Sequence, residues 1–470
     1  MIDRGVARES ADRVGRVRPA AVCWLLAALA AVWGTSCDAS PEARAPWPPA
    51  KPAEALKAEP KTKIDRQIRT LIADYEGRIA GLTHSDPIVR ANLPRLRDNL
   101  LPLYKEYNRD KARYSKDCFT PAECIASLKQ DMALYLDALE KGTDPATLIK
   151  GGQVRAKACW IDGPEIMGRY HCTVAAGYEP GKSWPIVISY QNGPEKAQRR
   201  KLPYFFISSV QKAYPKGWTI VEGKTRSFLK DVARDFNIDP FRVYATGFSF
   251  GGRTDQVIGW RFPHWFAAIA PVCSDLRDEQ ATLAKYLRNV PALLLHGTGD
   301  SFLAAGRKVH EHMKAAGCDV TFETYPGGHD PKRIFANPKR LTDYFDKHRS
   351  QPCPRLVSHV VEHPRYSRAF WVNAGLVKRG GAPATFEVRV KDGNRIEIDA
   401  NEQIAELDLC LSDKLVEMSR PVTVVAGDKV LYRGRASGKL TVKLRDGEKY
   451  DRGEGDTLWR DILEIRKAAR

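Results

Sequence analysis

The sequence predicts an α/β fold built on a doubly wound, mostly parallel sheet. Three observations carry that prediction. Short apolar runs alternate with helical stretches over residues 155–350, as strands buried on both faces of a parallel sheet require. One run, Phe241-Arg242-Val243-Tyr244-Ala245-Thr246, leads directly into the glycine-rich turn Gly247-Phe248-Ser249-Phe250-Gly251-Gly252. Two later runs end in loops that carry an acid and a histidine, at the strand ends where open parallel sheets place their chemistry.

The elements follow in order. The expected strands of the sheet are Val187-Ile188-Ser189, Tyr204-Phe205-Phe206-Ile207, Val243-Tyr244, Phe266-Ala267-Ala268-Ile269, Leu293-Leu294-Leu295 and Val320-Thr321-Phe322. A helix is expected over 306–316. Before the sheet, residues 62–150 read as helical, because Ile64, Ile68, Leu71, Ile72 and Tyr75 recur at three- and four-residue spacing. Thr120-Pro121-Ala122-Glu123 is a helix start, with an N-cap threonine, a first-turn proline and a glutamate closing the capping box. This region is read as a spacer packed on the sheet, with a lid as the other possibility.

Residues 355–470 change character. Thr385-Phe386-Glu387-Val388-Arg389-Val390, Arg395-Ile396-Glu397-Ile398, Leu407-Asp408-Leu409, Val422-Thr423-Val424-Val425 and Leu440-Thr441-Val442-Lys443-Leu444 alternate or nearly so. Asp392-Gly393-Asn394 and Gly427-Asp428 punctuate them as turns. A small β-sandwich-like domain is expected. Its aromatics Trp371, Tyr432 and Trp459 are read as core packing in preference to sugar-stacking platforms.

The glycine-rich turn has the pattern G-x-S-x-G between strand and helix, which lifts a serine hydroxyl on a sharp, strained turn. Such a hydroxyl attacks only when a base removes its proton, and the base needs a carboxylate to fix its tautomer. Pro291-Ala292-Leu293-Leu294-Leu295-His296-Gly297-Thr298-Gly299-Asp300 supplies an acid, and Tyr325-Pro326-Gly327-Gly328-His329-Asp330 a histidine. Ser249, Asp300 and His329 are therefore the candidate catalytic triad. The N–H of Phe250, the residue after the serine, is one candidate oxyanion donor; Gln191 or Asn192 is the other. His296 is read as packing or hydrogen-bonding beneath the site, His310 and His312 as surface residues of a helix, and Asp330 as a cap of the following turn. Asp275 is the weaker alternative acid.

Ala245-Thr246-Gly247-Phe248-Ser249-Phe250-Gly251-Gly252, with Phe266-Ala267-Ala268-Ile269-Ala270-Pro271-Val272-Cys273, resembles the polyhydroxybutyrate depolymerase and feruloyl esterase branch of the α/β-hydrolases. So does the His296-Gly-x-x-Asp300 strand end followed by Gly328-His329. The resemblance covers roughly residues 165–350. It implies the α/β-hydrolase fold, Ser249, Asp300 and His329 as the triad, and ester hydrolysis through an acyl-enzyme. One departure stands out. That branch usually ends the strand before the first oxyanion donor in His-Gly, whereas here Ile188-Ser189-Tyr190 runs into Gln191-Asn192-Gly193-Pro194.

The 470-residue chain is too long for one ordinary domain, and its 43% apolar content supports a sizeable core. The net charge of +18 is spread without a long basic block, and no nucleic-acid motif accompanies it, so the charge is read as a solvated basic surface. At the start, Arg4, Arg8, Arg13, Arg16 and Arg18 precede an apolar stretch over 20–33, the layout of a secretory signal in residues 1–36. Gly34-Thr35-Ser36-Cys37 resembles a bacterial lipoprotein box with Gly34 where a Leu-like residue is usual, which makes Cys37 a candidate lipid anchor. The Pro/Ala-rich residues 37–61 read as a tether. With Cys23 set aside in the signal and Cys37 as the anchor, the remaining eight cysteines suit an oxidising compartment, with Cys118–Cys124 and Cys159–Cys172 as the local pairing guesses. None has metal-site spacing.

These observations give an exported, lipid-anchored serine esterase needing no cofactor or metal. The expected partners are an ester substrate, polymeric in some cases, and a membrane through the lipid. Polysaccharide-linked acetyl or feruloyl esters and polyester oligomers are the expected substrates. A serine peptidase of prolyl-oligopeptidase type and a non-catalytic carbohydrate-binding surface protein are the rivals. Because the candidate residues all precede residue 330, the 355–470 region is expected to be dispensable for the chemical step.

Overall fold

The computed structural model describes residues 148–458 apart from 162–165, 191–192, 210–217, 275, 277, 378–382, 446–449, 453–455 and 457, with scattered positions between 63 and 78 and between 126 and 141. The leader, the tether and Cys37 lie outside the described residues, as do Cys118, Cys124, Asp275 and the helix start at Thr120. The scattered N-terminal positions up to 140 are helical, and Arg78 joins the two stretches through ion pairs to Glu140 at 2.5 Å and Asp137 at 3.8 Å. No helix among the described residues is long and apolar enough to cross a membrane.

Eight strands form one sheet: β1 Val154–Ile161, β2 Ile166–Thr173, β3 Trp184–Tyr190, β4 Phe205–Ser209, β5 Ile238–Phe248, β6 Ala268–Val272, β7 Ala292–Gly297 and β8 Val320–Tyr325. Their spatial order is β1-β2-β4-β3-β5-β6-β7-β8. β1 and β2 pair antiparallel, β2 meets β4 antiparallel, and every later neighbour is parallel. This crossed order, with an antiparallel second strand, is the α/β-hydrolase fold.

The strands bury both faces, and alternate residues go to opposite layers. Ile186, Ile188, Ala292 and Leu294 join one cluster with Phe228, Leu229 and Val232 of α1 (Trp218–Asp235), Val257 and Ile258 of α2 (Phe250–Arg261), and Val309 and Met313 of α3 (Leu303–Ala315). Val187, Leu293 and Leu295 face Ile334 and Phe335 of α4 (Lys332–Ala336) and Leu341 and Phe345 of α5 (Lys339–Phe345). Helices on both faces complete the double winding.

The expected strands are present, with β5 starting at Ile238 and β6 displaced to Ala268–Val272. The hairpin β1–β2 was not anticipated, and Lys157 explains why. A lysine in mid-strand reads as solvent-facing, yet here it is 1% exposed and paired with Asp235 and, at 3.2 Å, Asp231 of α1. The same hairpin corrects the Cys159–Cys172 guess: Cys159 stands opposite Gly168 in register, and Cys172 is a free, buried thiol opposite Arg155. His310 and His312 are half-buried where surface positions were expected, because they flank, one on each side, the buried stripe of Gly306, Val309 and Met313 on α3; the His310 ring meets Phe322 at 5.5 Å.

Two five-stranded sheets follow. One runs β16-β15-β13-β12-β9, with β9 Leu356–Val361, β12 Ala384–Lys391, β13 Arg395–Ala400, β15 Pro421–Ala426 and β16 Lys429–Arg435. The other runs β10-β11-β14-β17, with β10 Arg368–Ala369, β11 Val372–Val377, β14 Ile404–Leu409, β17 Leu440–Lys443 and β18 Tyr450–Arg452 beside β11. Trp371 is buried here, its Nε1–H donating to Pro354 O at 2.8 Å, so it offers no ring face to a sugar.

The junction between these sheets and the first is a shared core. Val357, Val360 and Phe386 belong to the same hydrophobic cluster as Trp260, Phe262 and Trp265. Carboxylates tie the parts together, Glu222 and Asp456 buried and Glu362 at the surface. Glu222 accepts from Arg261 at 3.0 Å and from the Tyr366 hydroxyl, and Glu362 accepts from Arg261 at 2.8 Å and Trp260 at 3.2 Å. Asp456 accepts from Arg226 at 2.7 Å, His264 at 2.8 Å and Trp265 at 2.6 Å.

Candidate active site

Ser249 stands between the end of β5 and the first residue of α2, with φ 55 and ψ −115. A non-glycine residue there is strained and persists only where its surroundings hold it. Ser249 N–H donates to Val272 O of the neighbouring strand at 2.9 Å, and its carbonyl accepts from Arg253 at 3.0 Å. Gly247 makes the turn possible. A Cβ at this position would overlap Tyr190 O and lie 2.6 Å from the backbone carbon of Gly251.

Asp300 sits in the turn after β7. Its N–H donates to Gly297 O at 3.1 Å, while its Oδ1 accepts from Phe302 N–H at 3.0 Å. His329 sits in the loop after β8. Hydrogen bonds from Gly299 N–H to Gly327 O at 2.8 Å and from Thr298 N–H to Tyr325 O at 2.9 Å zip the two loops together. Tyr325 donates its hydroxyl to Asp330 O at 2.8 Å, and Asp330 Oδ1 accepts from Lys332 N–H at 2.9 Å, the expected cap.

These loops bring the three residues into a line. His329 Nε2 lies 3.0 Å from Ser249 Oγ, and His329 Nδ1 lies 2.8 Å from Asp300 Oδ1. The carboxylate is fully enclosed while the histidine is 29% exposed, so the serine–histidine end of the line is open to solvent. Phe248 and Phe302 flank the imidazole at 4.6 and 5.1 Å between ring centroids. Neither ring was singled out from the sequence, although both neighbour motif residues. Phe250 begins α2, at the helix end whose N–H groups lack intrahelical partners. The other oxyanion candidates, Gln191 and Asn192, lie outside the described residues.

Burial, the largest single influence on Asp300, pushes its pKa up. Hydrogen bonds from Phe302 N–H, His329 and His296, with the Cys273 thiol close by, together outweigh it and hold the carboxyl below its ordinary value. Burial pushes the Cys273 thiol up to about 12, so it stays protonated. Sγ of Cys273, a ring nitrogen of His296 and a carboxylate oxygen of Asp300 lie within 4.8 Å of one another, a donor set that could hold a metal ion. The same atoms are already engaged in hydrogen bonds: Asp300 with both histidines, and Cys273 Sγ with the Tyr325 hydroxyl at 3.1 Å.

No protein-family profile matches the chain. A 79-residue stretch is 37% identical to feruloyl esterase B of Piromyces equi, spanning 16% of this chain and 15% of that protein. Among solved structures, a thermostable esterase aligns with 42% of this chain and 63% of its own at 16% identity and a TM-score of 0.36. An acylaminoacyl peptidase of Pyrococcus horikoshii aligns with 42% of this chain and 41% of its own, at 14% identity and a TM-score of 0.34. At such scores the fold assignment rests on the strand order.

Proposed function

We propose that the protein is a serine carboxylic-ester hydrolase working through an acyl-enzyme. The observation that carries this reading is the hydrogen-bonded line Ser249–His329–Asp300 at the open end of the sheet. Ser249 Oγ attacks the ester carbonyl as His329 Nε2 takes its proton. His329 then returns that proton to the leaving alcohol, and the acyl group stays on Oγ. Water, deprotonated by the same nitrogen, releases the acid and restores the serine. Asp300 holds the imidazole tautomer and faces the imidazolium as it forms. The Phe250 N–H and the Gln191–Asn192 loop serve the oxyanion.

The substrates in this proposal are acyl or feruloyl esters on polysaccharides, or polyester oligomers. The short match to a feruloyl esterase supports that class. Export and a lipid on Cys37 belong to the same proposal, supported by the basic, apolar and small-residue order of the first 37 residues. A panel of acetyl, feruloyl and hydroxybutyryl esters run beside peptide amides tests the reaction. Ester turnover with idle amides is expected; amide turnover at comparable kcat/KM assigns the site to a peptidase instead. Fatty-acid labelling lost in Cys37→Ala tests the anchor.

A further inference from the structure

Asp300 is gripped by two histidines, and only one of them faces the serine. We propose that His296 is a positioning residue of the site, holding Asp300 from the side opposite His329 so that the carboxylate presents Oδ1 to His329 in one orientation. The inference rests on the serine-hydrolase reading above.

The geometry is specific. His296 Nδ1 lies 2.8 Å from Asp300 Oδ2, and both side chains are within 1% of full burial. An ionised carboxylate only accepts, so Nδ1 carries the proton. Burial first of all, against the raising influence of Asp300, holds the His296 pKa below its ordinary value, so the ring is neutral and Nδ1–H is its single donor. That ring has no freedom to turn. It stacks on Phe322 at 5.7 Å and 17°, and α3 crosses its other side at Gly306. A Cβ on Gly306 would stand 2.7 and 2.8 Å from two ring carbons.

The consequence concerns rotation of the carboxylate plane. With Phe302 N–H and His329 on Oδ1 alone, Asp300 could tilt about its Cβ–Cγ bond and carry Oδ1 out of line. A rigid donor on Oδ2 removes that motion. Displacements of about 1 Å in such a line cost up to roughly 100-fold in rate.

The test uses three substitutions of His296 with Ser249→Ala as the reference, all in the full chain, each with a thermal melt and steady-state kinetics on one activated ester. His296→Leu should lower kcat roughly 10- to 100-fold with KM within about threefold, the signature of an interaction that matters in the transition state. His296→Asn should recover most of that loss, because its amide nitrogen stands where Nδ1 stood. His296→Gln, closer in bulk but with its amide where Nε2 stood, should not. A packing role predicts the opposite order, so Gln at or above Asn overturns the proposal. So does wild-type kcat in His296→Leu when Ser249→Ala is inactive. An active Ser249→Ala sinks the serine reading itself, a separate failure. Nitrogen-15 imidazole spectra of the unmutated protein give an answer independent of variant folding: an Nδ1–H tautomer is expected for His296, and an Nε2–H tautomer overturns the proposal.

Discussion

Asp300 stays charged while buried because three hydrogen-bond donors, Phe302 N–H, His329 and His296, converge on it, and that fixes what acid does to the site. Its depressed pKa means the carboxylate keeps its charge below the ordinary carboxylate range, so moderate acid leaves it ionised. Asp300→Asn keeps the shape but puts an amide against His329 Nδ1, favouring the wrong tautomer. Turnover on an activated ester should fall by roughly 10⁴-fold, with the thermal midpoint changed little. Ser249→Ala should cost about the same or more, leaving only what the oxyanion donors provide. Near-wild-type turnover in purified Ser249→Ala would show that the hydroxyl at φ 55 is strained for some other purpose.

At the scale of elements, the turn from β5 into α2 is where sequence and structure agree best, and the reason is steric. Gly247 has backbone on two sides, so the sequence can put nothing larger there, and the resulting G-x-S-x-G is readable. Gly247→Ala should push Tyr190 and Gly251 apart, costing about 2 kcal/mol or more in a denaturant titration. Turnover should fall with it, since Ser249 moves with the turn; an alanine variant of unchanged stability and activity would mean the turn relaxes freely. The loops after β7 and β8 were legible for the same kind of reason, short apolar runs ending in polar turns. The β1–β2 hairpin was not, because Lys157 disguises a buried strand whose partners, Asp231 and Asp235, lie more than seventy residues away. His296 was legible as a neighbour of the site, but its partner Oδ2 is a matter of side-chain geometry that no spacing encodes.

For the whole molecule, the sequence-based expectation that residues 355–470 are dispensable meets a shared core. A chain ending at Ser350 would uncover Trp260 and Trp265, each about 1% exposed or less, at a cost of about 2 kcal/mol apiece. It would also strip Glu222 and Arg261 of partners from the second part. Such a chain should lack a cooperative melt, and its loss of activity would then reflect unfolding. The same junction sets the response to acid. His359 on β9 is fully buried, and burial above all lowers its pKa from the ordinary 6.5 to about 4. Between those values the unfolded chain binds a proton that the folded chain refuses, so stability rises with pH across that window and is lost as pH falls through it. The full loss is on the order of 3 kcal/mol. Asp456 acts in the same direction lower down: burial, its largest influence, is outweighed by His264, Arg226 and Trp265, and its contribution disappears as pH falls through its depressed value. The melting temperature should therefore drop between pH 7 and pH 4.5. His359 Nε2 lies 2.6 Å from Tyr366 O, a contact that a glutamine amide can reproduce without titrating. His359→Gln should flatten the upper part of the pH dependence while leaving stability at pH 7 close to wild type. An unchanged slope between pH 6.5 and pH 4.5 would place the acid sensitivity elsewhere than in this junction.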